Sequence, residues 1–544
     1  MKNIALAFSG GGFRAAAYSL GCLKYLGRVK IDGSPLLENV KYISSASGGS
    51  ITNLVYSSCI FNGGNLDNAY TVLNKEMQED KLLEEALQIL NTPSKWKSRD
   101  VKSRNLINAF SMAYDRIFNG QDFGIFNSRN NEPHLEEICV NATEFTNGLP
   151  FRFQSQHADN WFPKGKIGNN YIHFTENGIS ESQKIKLADI LAASSCFPSG
   201  FEPMIFPKDY ANSNVSEDQL GASISYKANS YTIDKYNHLS ILSNKDYEKK
   251  RQFGLMDGGV DDNQAIDAFL KADARRVGNN LPAFDLFISC DVTSPFMDGY
   301  TLPVHENKWY DIFSIRFVLL ILLVAALWLP ILLIMDKGVW APWEYITGTL
   351  SGIFGSLLGI YLFVKIKGFF MKSKPESSWG KMFKKFRWDF AKLSLGFVRQ
   401  MIASRLKSVF ILTNDVYLKQ IRRMYYESLF SNDKYEDQVI QNTIYDLSQA
   451  TIARHKHSPS VALVAVAEKS RRMGTTLWFD KKHESEDMRR SIIATGQFTT
   501  CYNLLLYLEK IEKLGALNPG LQMLKADLEN DWKQFCQNPF DGLP

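Results

Sequence analysis

Residues 40–50 read Val-Lys-Tyr-Ile-Ser-Ser-Ala-Ser-Gly-Gly-Ser. Val40–Ser44 is a short apolar strand running into a turn of small residues, and Ile51–Tyr56 begins a helix. A serine exposed on a sharp strand-to-helix turn needs small neighbours two places before and two places after it, because the turn is strained and crowded. Ser45 and Gly49 hold those places around Ser47, with serine standing where Gly-x-Ser-x-Gly would have glycine. On this stretch alone an ordinary small-residue turn reads the same way.

Upstream, Ile4–Phe8 is a second short apolar strand, followed by Ser9-Gly10-Gly11-Gly12-Phe13-Arg14-Ala15 and a helical period over Arg14–Leu26. Strand–turn–helix units in close succession predict an α/β sheet with mainly parallel strands. Glycines at a helix N-terminus present bare N–H groups that stabilise a negative charge. An oxyanion formed in acyl transfer fits there, with Arg14 adding charge or orienting the loop. Gly10-x-Gly12-x-x-Ala15 also fits a dinucleotide fingerprint, with Asp32 at about the right distance for a ribose contact. These two readings and a plain turn stay open on the loop itself, although a nucleotide site leaves the turn at Ser47 without a purpose. Downstream, Met256-Asp257-Gly258-Gly259-Val260 puts a carboxylate at a strand end before two glycines, where it can act as base to a nearby serine. By itself Asp-Gly-Gly is more often a plain turn.

The order Gly-Gly-Gly-x-Arg, serine elbow, Asp-Gly-Gly resembles the patatin-like phospholipases and the related catalytic domain of cytosolic phospholipase A2. Ala193-Ser194-Ser195-Cys196-Phe197-Pro198 looks like the same family's small-residue segment before a Phe-Pro turn. The resemblance covers roughly residues 1–265. It implies a three-layer α/β/α domain and ester cleavage by a serine whose proton passes directly to an aspartate. By motif match it places the nucleophile on Ser47, the base on Asp257, and the oxyanion site on Gly10, Gly11 and Gly12 beside Arg14. No cofactor or metal is expected. A Ser-Asp-His triad is the rival within hydrolases, but such enzymes reach their serine after more strands than fit before Ser47. Each of the eight histidines reads as a surface or loop residue.

Composition sets the wider frame. With 544 residues, 45% hydrophobic and 22% charged, the chain can build a large core. Its seven cysteines form no CxxC pair, which argues for a reducing compartment and against a disulfide framework or zinc site. The N-terminus reads as a buried strand, its apolar run being too short for a signal peptide.

Two runs break the soluble pattern. Ile315–Met335 and Tyr345–Val364 span 21 and 20 residues, nearly all apolar, each long enough to cross about 30 Å of hydrocarbon. Their short link, Asp336–Glu344, predicts a transmembrane hairpin; a buried core hairpin is the alternative. Lys365, Lys367, Lys372, Lys374, Lys381, Lys384, Lys385 and Arg387 follow, interleaved with Trp379, Phe383, Phe386 and Trp388. Such a segment suits anionic lipid better than nucleic acid. The basic flank puts both hairpin ends and the catalytic domain on the cytoplasmic side. Gly348-x-x-x-Gly352 and Gly355-x-x-x-Gly359 leave room for helix packing and a homo-oligomer.

The expected organisation is a catalytic domain over 1–305, the hairpin with its basic flank over 306–375, and a mainly helical part over 376–544 packing on the catalytic domain. Within that last part, Leu393–Leu429 and Cys501–Leu514 read as amphipathic helices and Ser460–Ala467 as a core strand. The expected activity is hydrolysis of membrane phospholipids at the bilayer through an acyl-serine. A lysophospholipase or neutral-lipid esterase uses the same parts. A membrane oxidoreductase binding a nucleotide at Gly10–Ala15, and a catalytically silent scaffold, are the rivals from other classes.

Overall fold

A computed structural model describes residues 1–226, 252–294, 309–321, 392–449 and 456–543, together with Gly348, Gly352 and Gly355. Within those ranges 79, 100–101, 129, 146–147, 156–166, 170, 199, 319 and 475–477 fall outside the description. The strands that build the central sheet are β1 (Ile4–Phe8), β2 (Val40–Ala46), β3 (Glu137–Glu144), β4 (Leu149–Gln154), β5 (Met204–Phe206), β6 (Phe253–Asp257), β7 (Leu286–Asp291) and β8 (Val439–Thr443). Their order is β8-β7-β1-β2-β3-β6-β5, with β4 paired to β3.

The half from β8 to β3 is parallel, while β4, β6 and β5 join antiparallel. Every residue of β1 is buried, as a strand covered on both faces requires. Around the sheet pack α1 (Gly12–Arg28), α2 (Gly48–Phe61), α3 (Leu106–Ile117), α4 (Leu187–Ser194), α5 (Val461–Arg472), α6 (Met488–Lys513) and α7 (Pro519–Gln537). This is a mixed α/β core whose central sheet is flanked by helices.

Helix α1 is buried along almost its whole length, because α6 covers the side that the sheet does not. The two helices touch backbone to backbone: a Cβ on Gly21 would lie 2.1 Å from the Ile493 carbonyl oxygen, and one on Gly496 2.3 Å from that of Tyr18. The chain's last third therefore completes the core around the first helix.

The expected strand at Ser460–Ala467 is instead the start of α5. Ser460 caps it by accepting from the Leu463 N–H, and Leu463, Val464, Ala467 and Ser470 bury one helical face. An unbroken apolar run does not distinguish a buried strand from a buried helix turn. The strand that this region does supply is β8, a half-polar Val-Ile-Gln-Asn-Thr whose inward residues pair with β7.

The chain divides into two compact units, Met1–Phe296 with Tyr417–Pro544, and Met297–Val416. In the second unit Ile315 donates to the Leu393 carbonyl at 3.1 Å and Leu395 to that of Phe313 at 2.8 Å. Arg399 pairs with Asp311 at 2.9 Å. Among the described residues no helix is long and apolar enough to cross a membrane. The two expected spans fall almost wholly outside those residues.

Candidate active site

Register on β3 brings the two halves of the site together. β2 runs parallel to β3 and ends with Ala46 opposite Asn141. β6 runs antiparallel and ends with Asp257 opposite Ala142. Since β4 occupies the other edge of β3 across both positions, β2 and β6 abut head to head on one edge. Ser47, one residue past β2, thereby meets Asp257.

Ser47 Oγ donates to Asp257 Oδ2 at 2.7 Å. Both residues are nearly buried, at 6% and 5% exposure, so the hydroxyl–carboxylate contact is shielded from bulk water. Ser47 sits at φ 48°, ψ −122°, a strained conformation for a residue with a side chain. The turn tolerates nothing larger than glycine after it: a Cβ on Gly48 would lie 2.0 Å from the Gly12 carbonyl oxygen. The serine at position 45 is accommodated because its hydroxyl accepts from Asn53 Nδ2 at 2.9 Å and Ser50 Oγ at 3.0 Å.

Asp257 is fixed on every side. Oδ1 accepts the Gly259 N–H at 2.7 Å, its own N–H donates to the Cys196 carbonyl at 2.9 Å, and its carbonyl accepts the Thr143 hydroxyl at 2.8 Å. Burial pushes its carboxyl up to about 6, against the downward pull of the hydrogen bonds from Ser47 and Gly259. A base of that strength is ionised at neutral pH and still able to take a proton in a transition state.

A polar frame holds Ser47 from behind. Ser194, at the end of α4, accepts the Ser47 N–H at 3.1 Å and donates to the Asn141 carbonyl at 2.7 Å. Asn141 Nδ2 donates to the Ser45 carbonyl at 2.9 Å, and Ser50 Oγ lies 2.9 Å from Ser194 Oγ. Of these partners the sequence assigned Ser45 to the turn and placed Ser194 in a family-like segment, while Asn141 and Ser50 were given no role. The available signal was a polar Asn141 and Thr143 inside a strand whose eight residues are all buried. Buried polar groups of that kind are hydrogen-bonded to something.

The glycine loop lies beside this frame. The Gly10 N–H is taken by the Asn263 carbonyl at 2.8 Å, while Asn263 Nδ2 donates to Thr293 Oγ1 at 2.7 Å. Asn263 follows the Asp257-Gly258-Gly259 turn closely, so one residue ties the glycine loop to the turn at Asp257. Among the described residues the N–H groups of Gly11 and Gly12 have no protein acceptor, at the N-terminus of α1. They are the loop's two donors left for a ligand oxygen.

Residues 6–270 match the family model for patatin-like phospholipase. This segment is a patatin-like phospholipase domain. The family is one of lipid acyl hydrolases. Among solved structures, human GIVD cytosolic phospholipase A2 is 12% identical, with TM-score 0.33, over 54% of this chain and 46% of that enzyme. The chain thus spans under half of the human enzyme's length. VipD from Legionella pneumophila is 12% identical, with TM-score 0.23, over 99% of this chain and 92% of that one. No curated protein matches in sequence.

Other candidate residues of the patatin-like domain are placed as follows. Arg14 is buried, with Nη2 donating to the Val292 carbonyl at 2.9 Å and Nη1 to the Met473 carbonyl. Its guanidinium fastens α1 to the exit of β7 and the end of α5, where sequence reasoning had it adding charge to the loop or orienting it. Asp32 lies in the turn between Lys30–Ile31 and Ser34–Pro35, its carboxylate against Gly520 of α7. It is thus committed away from the loop, and the dinucleotide reading loses its ribose contact.

The described histidines are engaged elsewhere. His134 bonds the Tyr56 hydroxyl at 3.1 Å, and burial lowers its pKa to about 4. His457 pairs with Glu509 and His483 with Asp480. His173 lies in the Ile172–Phe174 strand. His157, His238, His305 and His455 fall outside the described residues.

Proposed function

We propose that the chain is a membrane-anchored serine acyl hydrolase, of phospholipase A type, that cleaves membrane phospholipids with Ser47 and Asp257 alone. The observation that carries this reading is the 2.7 Å hydrogen bond from Ser47 Oγ to Asp257 Oδ2 beside the unpaired Gly11 and Gly12 N–H groups. Ser47 Oγ attacks the acyl carbonyl carbon as Asp257 takes its proton. The oxyanion faces the glycine-loop donors, which act where charge develops. Collapse returns the proton to the departing alcohol oxygen. Water, deprotonated by Asp257, then attacks the acyl-serine; the Oγ–acyl bond breaks, Asp257 returns the proton to Ser47 Oγ, and the fatty acid leaves.

Membrane attachment rests on the two apolar runs at Ile315–Met335 and Tyr345–Val364 and the basic, aromatic flank that follows. Phe317, Leu320 and Ile321, at the start of the first run, are exposed, which favours lipid over a protein core as their surroundings. Fatty-acid release from phosphatidylcholine vesicles tests the proposal. Wild type releases fatty acid, and Ser47→Ala falls by about 10⁶-fold towards background, since other members of such a unit do not replace the nucleophile. Retained turnover in Ser47→Ala contradicts it.

A further inference from the structure

The patatin-like match ends at residue 270, yet Trp478 and Phe479, from much later in the chain, pack on Phe110 and Phe13 within it. The Asp257 N–H donates to the Cys196 carbonyl, and the next residue, Phe197, begins a circuit of aromatic contacts. Phe197 meets Phe201 edge to face, with centroids 6.3 Å apart, and Phe201 meets Phe110 in the same way at 5.3 Å. Phe110 stacks on Trp478 at 6.3 Å. Trp478 is followed by Phe479, which packs on Phe13 at 5.9 Å, and Phe13 follows Gly12 of the glycine loop. The circuit runs from the base to the oxyanion donors.

The stretch bearing Trp478 is also fastened to α1 through the Arg14–Met473 hydrogen bond, so it reaches the first turn of α1 from two sides. Phe110, Phe479 and Phe13 are buried, while Phe197, Phe201 and Trp478 are half-buried. Those three keep part of their apolar surface open, and aromatic faces of this kind cover alkyl chains well.

We propose that Trp478 is a specificity-determining residue that lies along the acyl chain of the ester attacked by Ser47. This inference rests on the hydrolase reading. The occupant is the acyl chain because it is bonded to the very carbonyl that Ser47 attacks. It must leave that point across neighbouring surface, and the circuit supplies apolar surface there. A short acyl group ends before reaching an indole three aromatic contacts away from Phe197; a long one does not.

The test compares kcat/KM for p-nitrophenyl butyrate and p-nitrophenyl decanoate with the full chain. In Trp478→Ala the decanoate-to-butyrate ratio should fall roughly tenfold, as methylenes lose an apolar neighbour. Trp478→Phe, which keeps the stack on Phe110, should recover most of the ratio. Phe201→Leu carries the same test if Trp478→Ala is unstable, with the ratio again falling. An unchanged ratio, with both esters slowed alike, makes Trp478 merely structural and overturns the inference while leaving the hydrolase reading intact. Wild-type protein that hydrolyses neither ester, and is not labelled on Ser47 by a fluorophosphonate, removes the hydrolase reading and this inference with it.

Discussion

Asp257 carries its charge where burial opposes it, and that cost is readable as a pH dependence. Its folded-state value of about 6 lies above the value of about 3.9 for an unperturbed aspartate. Between those two the folded protein binds more protons than the unfolded chain, so stability falls as pH rises, by about 3 kcal/mol over the window. Asp257→Asn removes the charge while keeping the shape. We therefore expect the variant to melt at or above the wild-type temperature at pH 8, with the advantage fading towards pH 4, as followed by calorimetry. An equal loss of stability at both pH values would show that the carboxylate is not held against its burial. On the proposed mechanism wild-type kcat/KM should rise with pH through about 6. Ser47 and Asp257 were legible because small residues crowd around each. Ser194 and Asn263 were not, because their partners lie 147 residues away at Ser47 and beyond 250 residues away at Gly10, and no local pattern encodes contacts across such spans.

The glycine loop is an element positioned from a distance. Arg14 gives hydrogen bonds to two backbone carbonyls, Val292 after β7 and Met473 after α5. The Ser9 hydroxyl accepts the Val292 N–H at 3.0 Å. Arg14→Ala leaves both carbonyls without these donors, at about 1–3 kcal/mol each, and loosens the turn that presents Gly11 and Gly12. We expect kcat to fall by about tenfold to a hundredfold, at or below the effect of deleting one oxyanion donor outright, with KM little changed. Arg14→Lys should recover stability only in part, since an ammonium does not reproduce the guanidinium fork. Lower stability with intact kcat would separate Arg14 from the loop's catalytic geometry. Elements were unevenly visible in the sequence. β1, β2 and the helices after them announced themselves by glycine turns and apolar runs. α5 did not, because its small apolar residues suit either period, and β8 did not, because it buries the polar Asn442 and Thr443.

At the scale of the molecule, residues on either side of the apolar insertion belong to one compact unit, and the sheet needs β8 from the far side to cover β7. The insertion itself leaves at Ile315 and is back at Leu393, hydrogen-bonded to its own beginning. A chain returning to its starting point suits an even number of membrane crossings. On our proposal both ends face the cytosol, the side that keeps basic residues, and Asp336–Glu344 faces away. A cysteine at Gly338 should then react with an impermeant maleimide from outside intact cells, and one at Lys374 only after permeabilisation. The reverse pattern would overturn the topology. The two apolar runs are the largest feature of the sequence, and the hairpin read from them lies almost wholly outside the described residues. The pairing of β2 and β6 along β3 was not legible, because register depends on strands that carry no motif.

The central claim is that Ser47 reacts and Asp257 alone activates it. Fluorophosphonate labelling with mass-spectrometric location of the adduct tests it most directly. A single phosphonylated site at Ser47, formed about 10²–10⁴-fold more slowly in Asp257→Asn and at wild-type rate in His134→Gln, is the result expected. An adduct on another serine, or full labelling of Asp257→Asn while a histidine variant loses it, would contradict the account.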